Sequence, residues 1–190
     1  METAAFTFSL LCWGAFYVFW VVAAFTSKRS AKRESVARSL GYRLLAVGAF
    51  LLLVNAHALP VPLSRIVIGQ GDGLSLGAMA CSLAGLSICL WARVALGRNW
   101  SSIVVVKVNH ELVQHGPYRF VRHPIYTGML LMFLANVLLS GRVGGLFGFG
   151  LLAVSFFIKL LKEEQFMLKE FPQTYPAYMQ RVKRLVPYVI

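Results

Sequence analysis

The sequence is poor in charge, and acidic residues and cysteines are especially scarce. Only 14% of its 190 residues are charged, seven of them Asp or Glu, whereas 58% are apolar. About a quarter of the residues in a typical soluble domain are charged. A soluble all-α domain of this length has too little interior to bury so much apolar surface. The composition therefore excludes an ordinary soluble domain and favours a polytopic membrane protein.

The three cysteines indicate neither a disulfide framework nor a metal site. Cys12, Cys81 and Cys89 all fall in apolar runs, without a C-x-x-C pair or a His at metal-ligand spacing. We interpret them as small apolar packing residues.

Five apolar segments are candidates for membrane-spanning helices, which need about 20 residues each. They are Ala4 to Phe25, Leu44 to Leu63, Leu74 to Ala92, Ile125 to Leu139 and Val143 to Ile158. Lys28 and Arg29 follow the first segment where a signal peptide would have a small-residue cleavage site, so we expect a retained helix. The expected fold is an all-α membrane protein with about five transmembrane helices.

Basic residues set the expected orientation, because Lys and Arg collect in cytoplasmic loops. If the N-terminus is outside and the C-terminus cytoplasmic, all basic residues except Arg65 and Arg142 lie on the cytoplasmic side. The net charge of +12 is then an orientation signal combined with attraction to anionic membrane lipids. Nucleic acid is not an expected partner, since the basic residues are spread over three segments that flank the apolar spans. The expected location is a bacterial or archaeal cell membrane, or the endoplasmic reticulum.

Two glycine-rich stretches, 69–73 and 144–150, do not resemble nucleotide-binding loops. A dinucleotide fingerprint needs a preceding strand and an acidic residue about 20 positions later, and the sequence has neither. Gly144 and Gly148 instead have the four-residue spacing that lets helices approach closely. We expect the fourth apolar segment to be their partner.

The segment from Gly97 to Tyr126 is long for a loop in a compact bundle, which suggests function. Pro124 suits the first turn of a helix and pushes His123 toward an extended conformation. His123 would then stand at a helix N-terminus, where free N–H groups favour an anion, with Tyr126 one turn further. The alternative is a polar headgroup anchor, because His, Tyr and Arg are common at membrane interfaces.

A second polar cluster follows the fifth apolar segment. Lys159 and Glu163 are four residues apart and share a helix face, with Glu164 beside them. An interfacial salt bridge is the alternative interpretation. The tail from Phe171 to Pro187 mixes aromatic, proline and basic residues, and we expect it along the membrane surface.

These motifs together resemble a known family. The pattern His110-x-Leu112-Val113-x-x-Gly116-x-Tyr118, then Arg122-His123-Pro124-x-Tyr126, then Glu163-Glu164 and a Phe-x-x-x-Tyr-x-x-Tyr tail is similar to the isoprenylcysteine carboxyl methyltransferase family. Membrane phospholipid N-methyltransferases and bacterial thiol methyltransferases share this C-terminal pattern. The resemblance covers roughly 97–187, so residues 97–190 are the expected catalytic region and 1–96 the expected N-terminal spans.

The resemblance implies S-adenosylmethionine as the methyl donor, bound by the C-terminal region without a Rossmann fold. It implies a lipidic or prenylated substrate that enters from the bilayer. The cofactor-binding residues that it implies are His110, Leu112, Val113, Gly116, Tyr118, Arg122, His123, Pro124, Ile125, Tyr126, Glu163 and Glu164. The catalytic residues that it implies are Lys159, Glu163 and Arg181.

The sequence departs from the family pattern at three places. Lys159 stands where the family tends to have an Arg, which keeps the charge but loses the bidentate fork for a carboxylate. Pro172 stands where Gly is usual, and Ile103 to Val106 is apolar where some members have a polar cofactor contact. Carboxyl O-methylation is the first expectation, and phospholipid N-methylation and thiol S-methylation are the alternatives. A small transporter or scaffold is the non-enzymatic alternative, with His57 as the one intramembrane ionisable residue in its favour.

Overall fold

The computed structural model describes residues 1–25, 30–33, 36–97, 105–107 and 112–189. Its helices are α1 (Glu2–Ala24), α2 (Val36–Val54), α3 (Asp72–Leu96), α4 (Pro124–Ser140), α5 (Val143–Glu170) and α6 (Tyr175–Arg181), with a 3-10 helix at Gly116–Arg119. Two short strands, β1 (Ser30–Arg33) and β2 (Val105–Lys107), pair antiparallel. The architecture is a helical bundle with one small β-ribbon.

Three helices in the described part of the chain are long and apolar enough to cross a membrane, namely α1, α3 and α5. The apolar parts of α2 and α4 are shorter. Many large apolar side chains on these helices are exposed, for example Leu11, Val21 and Phe147. Such a surface suits lipid and not water, which confirms the prediction of an integral membrane protein built from apolar helices.

The second predicted span, Leu44 to Leu63, does not have the same bounds as the helix in the structure. Helix α2 runs from Val36 to Val54, so it starts before Leu44 and ends well before Leu63. Residues 55–58 and 61–64 form turns, and Pro60 and Pro62 disfavour a further helix in this region. His57 is exposed in this turn region, so the structure does not place it within a helical path through the bundle.

The close approach of α3 and α4 depends on one glycine from each helix. A Cβ atom on Gly85 would lie 2.5 Å from the carbonyl oxygen of Gly128, and a Cβ on Gly128 would lie 2.6 Å from Cys89 Sγ. Only glycine fits at such a contact. The crossing fixes the start of α4 beside the last turns of α3.

The glycines of α5 pack against α2 and the turns that follow it, so the prediction that α4 is their partner was wrong. A Cβ on Gly148 would lie 2.7 Å from Ala49 O and 2.8 Å from Leu53 N. A Cβ on Gly144 would lie 2.8 Å from Leu59 Cδ1. The short turn between α4 and α5 suggested otherwise because sequential helices are usually neighbours, but spacing alone does not identify the partner.

Replacing Gly148 by Ala should therefore destabilise the bundle. Backbone atoms of α2 block the added methyl group, so we expect a loss of about 1 to 3 kcal/mol. Gly150 on the same helix is the matched control, since nothing lies within 4 Å of a Cβ there. Thermal unfolding of both variants in detergent should show a lower Tm for Gly148→Ala only. Equal Tm values would contradict the α2–α5 contact.

The bundle has two ends with different charge. At the basic end, Arg93 at the end of α3 donates to Ala23 O at the end of α1, and α4 begins where α5 ends. Its basic side chains are Arg43, Arg93, Arg119, Arg122, Lys159, Lys162, Lys169, Arg181, Lys183 and Arg184, and its described carboxylates are Glu163, Glu164 and Glu170. At the opposite end, Val143 N donates to Arg65 O at 3.0 Å. The described charged side chains there are Glu2, Arg65, Asp72 and Arg142.

Candidate active site

The candidate site begins at the first turn of α4. Pro124 is the first helical residue, and His123 caps the helix with φ −126° and ψ 59°. The residue before a proline avoids the helical region, so the helix cannot extend toward the N-terminus beyond Pro124. The predicted positions of His123 and Pro124 at a helix start are confirmed. Tyr126 lies less than one turn further and is buried.

The end of α5 brings its carboxylates to this turn. The Tyr126 hydroxyl donates to Glu163 Oε1 at 2.5 Å, and His123 Nδ1 lies 3.7 Å from Glu163 Oε2. Lys159, one turn earlier on α5, places Nζ 4.0 Å from Glu163 Oε1 and 5.4 Å from the centre of the Tyr126 ring. The side chain of Glu163 is 25% exposed. The side chain is therefore held in place and still partly exposed.

Glu164 has a different environment, because its side chain is only 4% exposed. Arg122 donates to Glu164 Oε1 through Nε at 2.9 Å and Nη2 at 2.6 Å. Arg184 Nε donates to Oε2 at 3.0 Å, and His123 Nε2 lies 3.4 Å from Oε1. A buried charge is tolerated only when it is paired and hydrogen-bonded in this way. Glu164 thus joins α5, the start of α4 and the C-terminal tail.

The tail fixes the loop before α4 through its backbone. Arg122 N donates to Lys183 O at 2.7 Å, and His123 N donates to Arg184 O at 3.0 Å. The Thr127 hydroxyl donates to Leu185 O at 2.7 Å, and Arg122 Nη1 donates to Val182 O. The segment after α6 is therefore part of the wall around His123.

Helix α6 supports the same loop from the other side. Tyr178 is buried and donates its hydroxyl to the carbonyl of Tyr118 at 2.6 Å. Burial raises the pKa of Tyr178 above its ordinary value, with Arg122 acting in the opposite direction. The hydroxyl therefore keeps its proton at physiological pH and can donate this hydrogen bond. The Tyr-x-x-Tyr spacing noted in the sequence corresponds to a contact between Tyr175 and Tyr178 that packs α6.

The structure brings together six of the residues expected at the site. They are Arg122, His123, Tyr126, Lys159, Glu163 and Glu164. They meet because α4 and α5 form a hairpin whose two open ends adjoin, as the sequence indicated.

The other expected residues lie around this cluster. Leu112 packs against the α6 tyrosines, Val113 is half-buried and Tyr118 is buried. Gly116 starts the 3-10 helix with φ +62°. Arg181 is exposed and donates to Gln114 Oε1 at 3.2 Å, so it takes no part in the cluster in this structure. His110 lies outside the described residues.

Arg184 and Thr127 were missed as candidates in the sequence. Thr127 donates to the backbone carbonyl of Leu185, and Arg184 donates to the carboxylate of Glu164. Both partners are distant in sequence, so no local motif identifies these residues. Arg93 was treated in the sequence only as a topology signal, and its structural role was missed. A buried arginine in the last turn of an apolar helix needs specific acceptors. It donates to Gly97 O at 2.6 Å and to Ala23 O.

The cluster has the chemistry to bind a cation and an anion side by side. The partly exposed Glu163 side chain offers a negative charge, and Lys159 offers a positive charge one turn closer to the apolar part of α5. The described part of the chain has no group of His, Cys, Asp and Glu side chains that could hold a metal ion. The arrangement defines a small polar site at the end of a membrane-embedded helical bundle.

Comparison with known proteins identifies the class to which this bundle and site belong. Residues 78–170 match the isoprenylcysteine carboxyl methyltransferase (ICMT) family. The match agrees with the family that the motifs predicted, and together with the named relatives it indicates a methyltransferase.

Curated relatives match over nearly the whole chain. The chain is 27% identical over 179 residues to a probable protein-S-isoprenylcysteine O-methyltransferase of Oryza sativa subsp. indica, covering 93% of this chain and 90% of the relative. It is 28% identical over 193 residues to the protein-S-isoprenylcysteine O-methyltransferase of Schizosaccharomyces pombe, covering 98% and 76%.

A solved structure has the same fold. The eukaryotic intramembrane Ras methyltransferase ICMT (isoprenylcysteine carboxyl methyltransferase) is 24% identical to this chain, with a TM-score of 0.56. The match covers 78% of this chain and 52% of that one, so the chain corresponds to about half of the larger protein. The likeness establishes the membrane fold.

Proposed function

We propose that this protein transfers a methyl group from S-adenosylmethionine to the carboxylate of an isoprenylcysteine or a similar lipidic substrate. The observation that carries the proposal is the Glu163 carboxylate, fixed by Tyr126 at the start of α4 and partly open, with Lys159 beside it. The names of the two curated relatives support the acceptor.

The residues at the site fit the proposed cofactor. S-adenosylmethionine carries a positively charged sulfonium, whose methyl group it supplies when bound, and it also carries an ammonium group. A partly open carboxylate such as Glu163 suits one of these cations. His123, Tyr126 and Tyr118 would provide polar and aromatic contacts around it. Glu164 and Arg122 neutralise each other, so we assign them the role of holding His123 in place.

Lys159 is the residue that we assign to the acceptor. It lies on the side of Glu163 that faces the apolar turns of α5, where the head of a lipid-anchored substrate would arrive. A carboxylate is already ionised at pH 7, so no general base is needed. The tasks that remain for the protein are alignment of the two reactants and exclusion of water. An amine acceptor would first have to lose a proton. A carboxylate acceptor reacts without this step.

We propose that five helices cross the membrane and that the basic end faces the cytoplasm. At 1.5 Å per residue, the 19 residues of α2 and the 17 of α4 extend about 28 and 26 Å, close to the hydrocarbon thickness of about 30 Å. The concentration of basic side chains at one end supports this orientation. Residues 97–190 would form the catalytic region, with α2 packed against α5 from the N-terminal part.

The test is methyl transfer by the purified protein in lipid vesicles with three acceptors supplied separately. These are a farnesylcysteine analogue with a free carboxylate, an aminophospholipid and a small thiol, each with radiolabelled S-adenosylmethionine. We expect label in a base-labile ester of the farnesylcysteine analogue. Label only in the phospholipid or in the thiol would overturn the proposed acceptor, and no label in any of them would overturn the proposed activity.

A further inference from the structure

We infer that the preferred acceptors carry neutral or acidic groups next to their lipidated carboxylate, and that polybasic acceptors are disfavoured. This inference rests on the proposed function. It comes from the charge of the surface around the site, which the reaction itself does not use. Among the described side chains at the basic end, the exposed basic residues are Arg43, Arg119, Lys169, Arg181 and Lys183, and the exposed carboxylate is Glu170.

The carboxylates at this end do little to reduce the positive field outside the site. Glu164 is buried and paired with Arg122 and Arg184, and Glu163 lies beside the cation of Lys159. Among the described residues of the basic end, Glu170 is the exposed carboxylate. The exposed side chains described at this end therefore carry a net positive charge.

Three of the exposed cations come from different elements at the basic end. Lys169 lies in the last turn of α5, Lys183 follows α6, and Arg119 ends the 3-10 helix. All three side chains are exposed. Lys183 contributes its backbone to the wall around His123, but its charge faces outward.

Such a surface acts on substrate approach more than on the chemical step. Complementary surface charge raises association rates, and like charge lowers them, in a way that depends on ionic strength. The range is about 10 Å at 0.1 M salt, which covers the few residues next to a lipidated cysteine. Acceptor charge should therefore alter kcat/KM at low salt and leave kcat nearly unchanged.

The experiment uses two farnesylated peptides that are identical except for three residues, all Asp in one and all Lys in the other. Methyl transfer is measured in zwitterionic vesicles, so that the membrane itself attracts neither peptide. At low salt we expect kcat/KM to be about tenfold higher for the acidic peptide. At high salt the difference should shrink to less than about twofold. Equal values at low salt, or a preference for the basic peptide, would overturn the inference.

Charge reversal identifies the surface responsible. The double variant Lys169→Glu/Lys183→Glu should reduce the preference for the acidic peptide, while its KM for the cationic methyl donor stays the same or falls. Arg65→Glu at the opposite end is the matched control and should keep the full preference. If the double variant loses activity only in anionic vesicles and keeps the peptide preference, the surface serves membrane attachment and the inference is wrong. If neither peptide nor a plain farnesylcysteine analogue is methylated, the proposed function fails and this inference fails with it.

Discussion

Replacing Glu163 by Gln should lower kcat/KM for S-adenosylmethionine by about ten- to a hundredfold. The substitution keeps an oxygen for the Tyr126 hydroxyl but removes the negative charge that we assign to the cationic cofactor. Hydrogen bonds to charged groups contribute about 1.5 to 3 kcal/mol, which corresponds to that range. The measurement is steady-state methyl transfer at varied cofactor concentration.

The matched control for this variant is Glu170→Gln. It removes the same charge from the same helix at the same end of the bundle, but from an exposed side chain. We expect its kinetics to stay within about twofold of the unaltered protein. Similar losses in both variants would show that Glu163 acts only through the general electrostatic field.

Replacing Glu164 by Leu should destabilise the protein by about 3 to 5 kcal/mol, because it leaves Arg122 buried without its partner. The tail would also lose the contact between Arg184 and Glu164. We therefore expect a lower Tm in detergent and faster trypsin cleavage after Arg181 or Lys183. Unaltered stability would contradict the buried network.

The double variant Arg122→Met/Glu164→Leu tests whether the loss of stability comes from leaving one member of the ion pair without its partner. Replacing both members of a buried ion pair by apolar residues is often nearly neutral. The double variant should thus be more stable than Glu164→Leu alone, although it loses the Arg122 bonds to Met179 O and Val182 O. Simple addition of the two single losses would show that Arg122 and Glu164 are not coupled.

Much of the site was accessible from the sequence because its signals are local. Pro124 defines a helix start, and the spacing of Lys159 and Glu163 defines a helix face. The hairpin of α4 and α5 then brings the two clusters together. These features need only backbone sterics, helix periodicity and a short turn.

The parts that could not be predicted depend on contacts between distant segments. The partner of Gly148 is α2 and not the adjacent α4, since the spacing of small residues indicates a close contact without naming its partner. The end of α2 at Val54 was missed because the apolar run continues past it. Arg184 contacts Glu164 because the tail folds back onto α5. The local spacing of residues does not predict such a contact.

The roles of the two neighbouring glutamates were also beyond the sequence. Glu163 and Glu164 are adjacent, yet the structure leaves one partly open and buries the other between two arginines. The direction of each side chain depends on the rotation of α5 against α4. That rotation follows from packing that includes α2 and the tail.

The most direct test of the central claim is a crystal structure with the product S-adenosylhomocysteine bound. We predict that the ligand contacts the first turn of α4 and the last turns of α5, within hydrogen-bonding distance of Glu163 or His123. A ligand bound at the opposite end of the bundle, near Arg65 and Arg142, would contradict the assignment of the site.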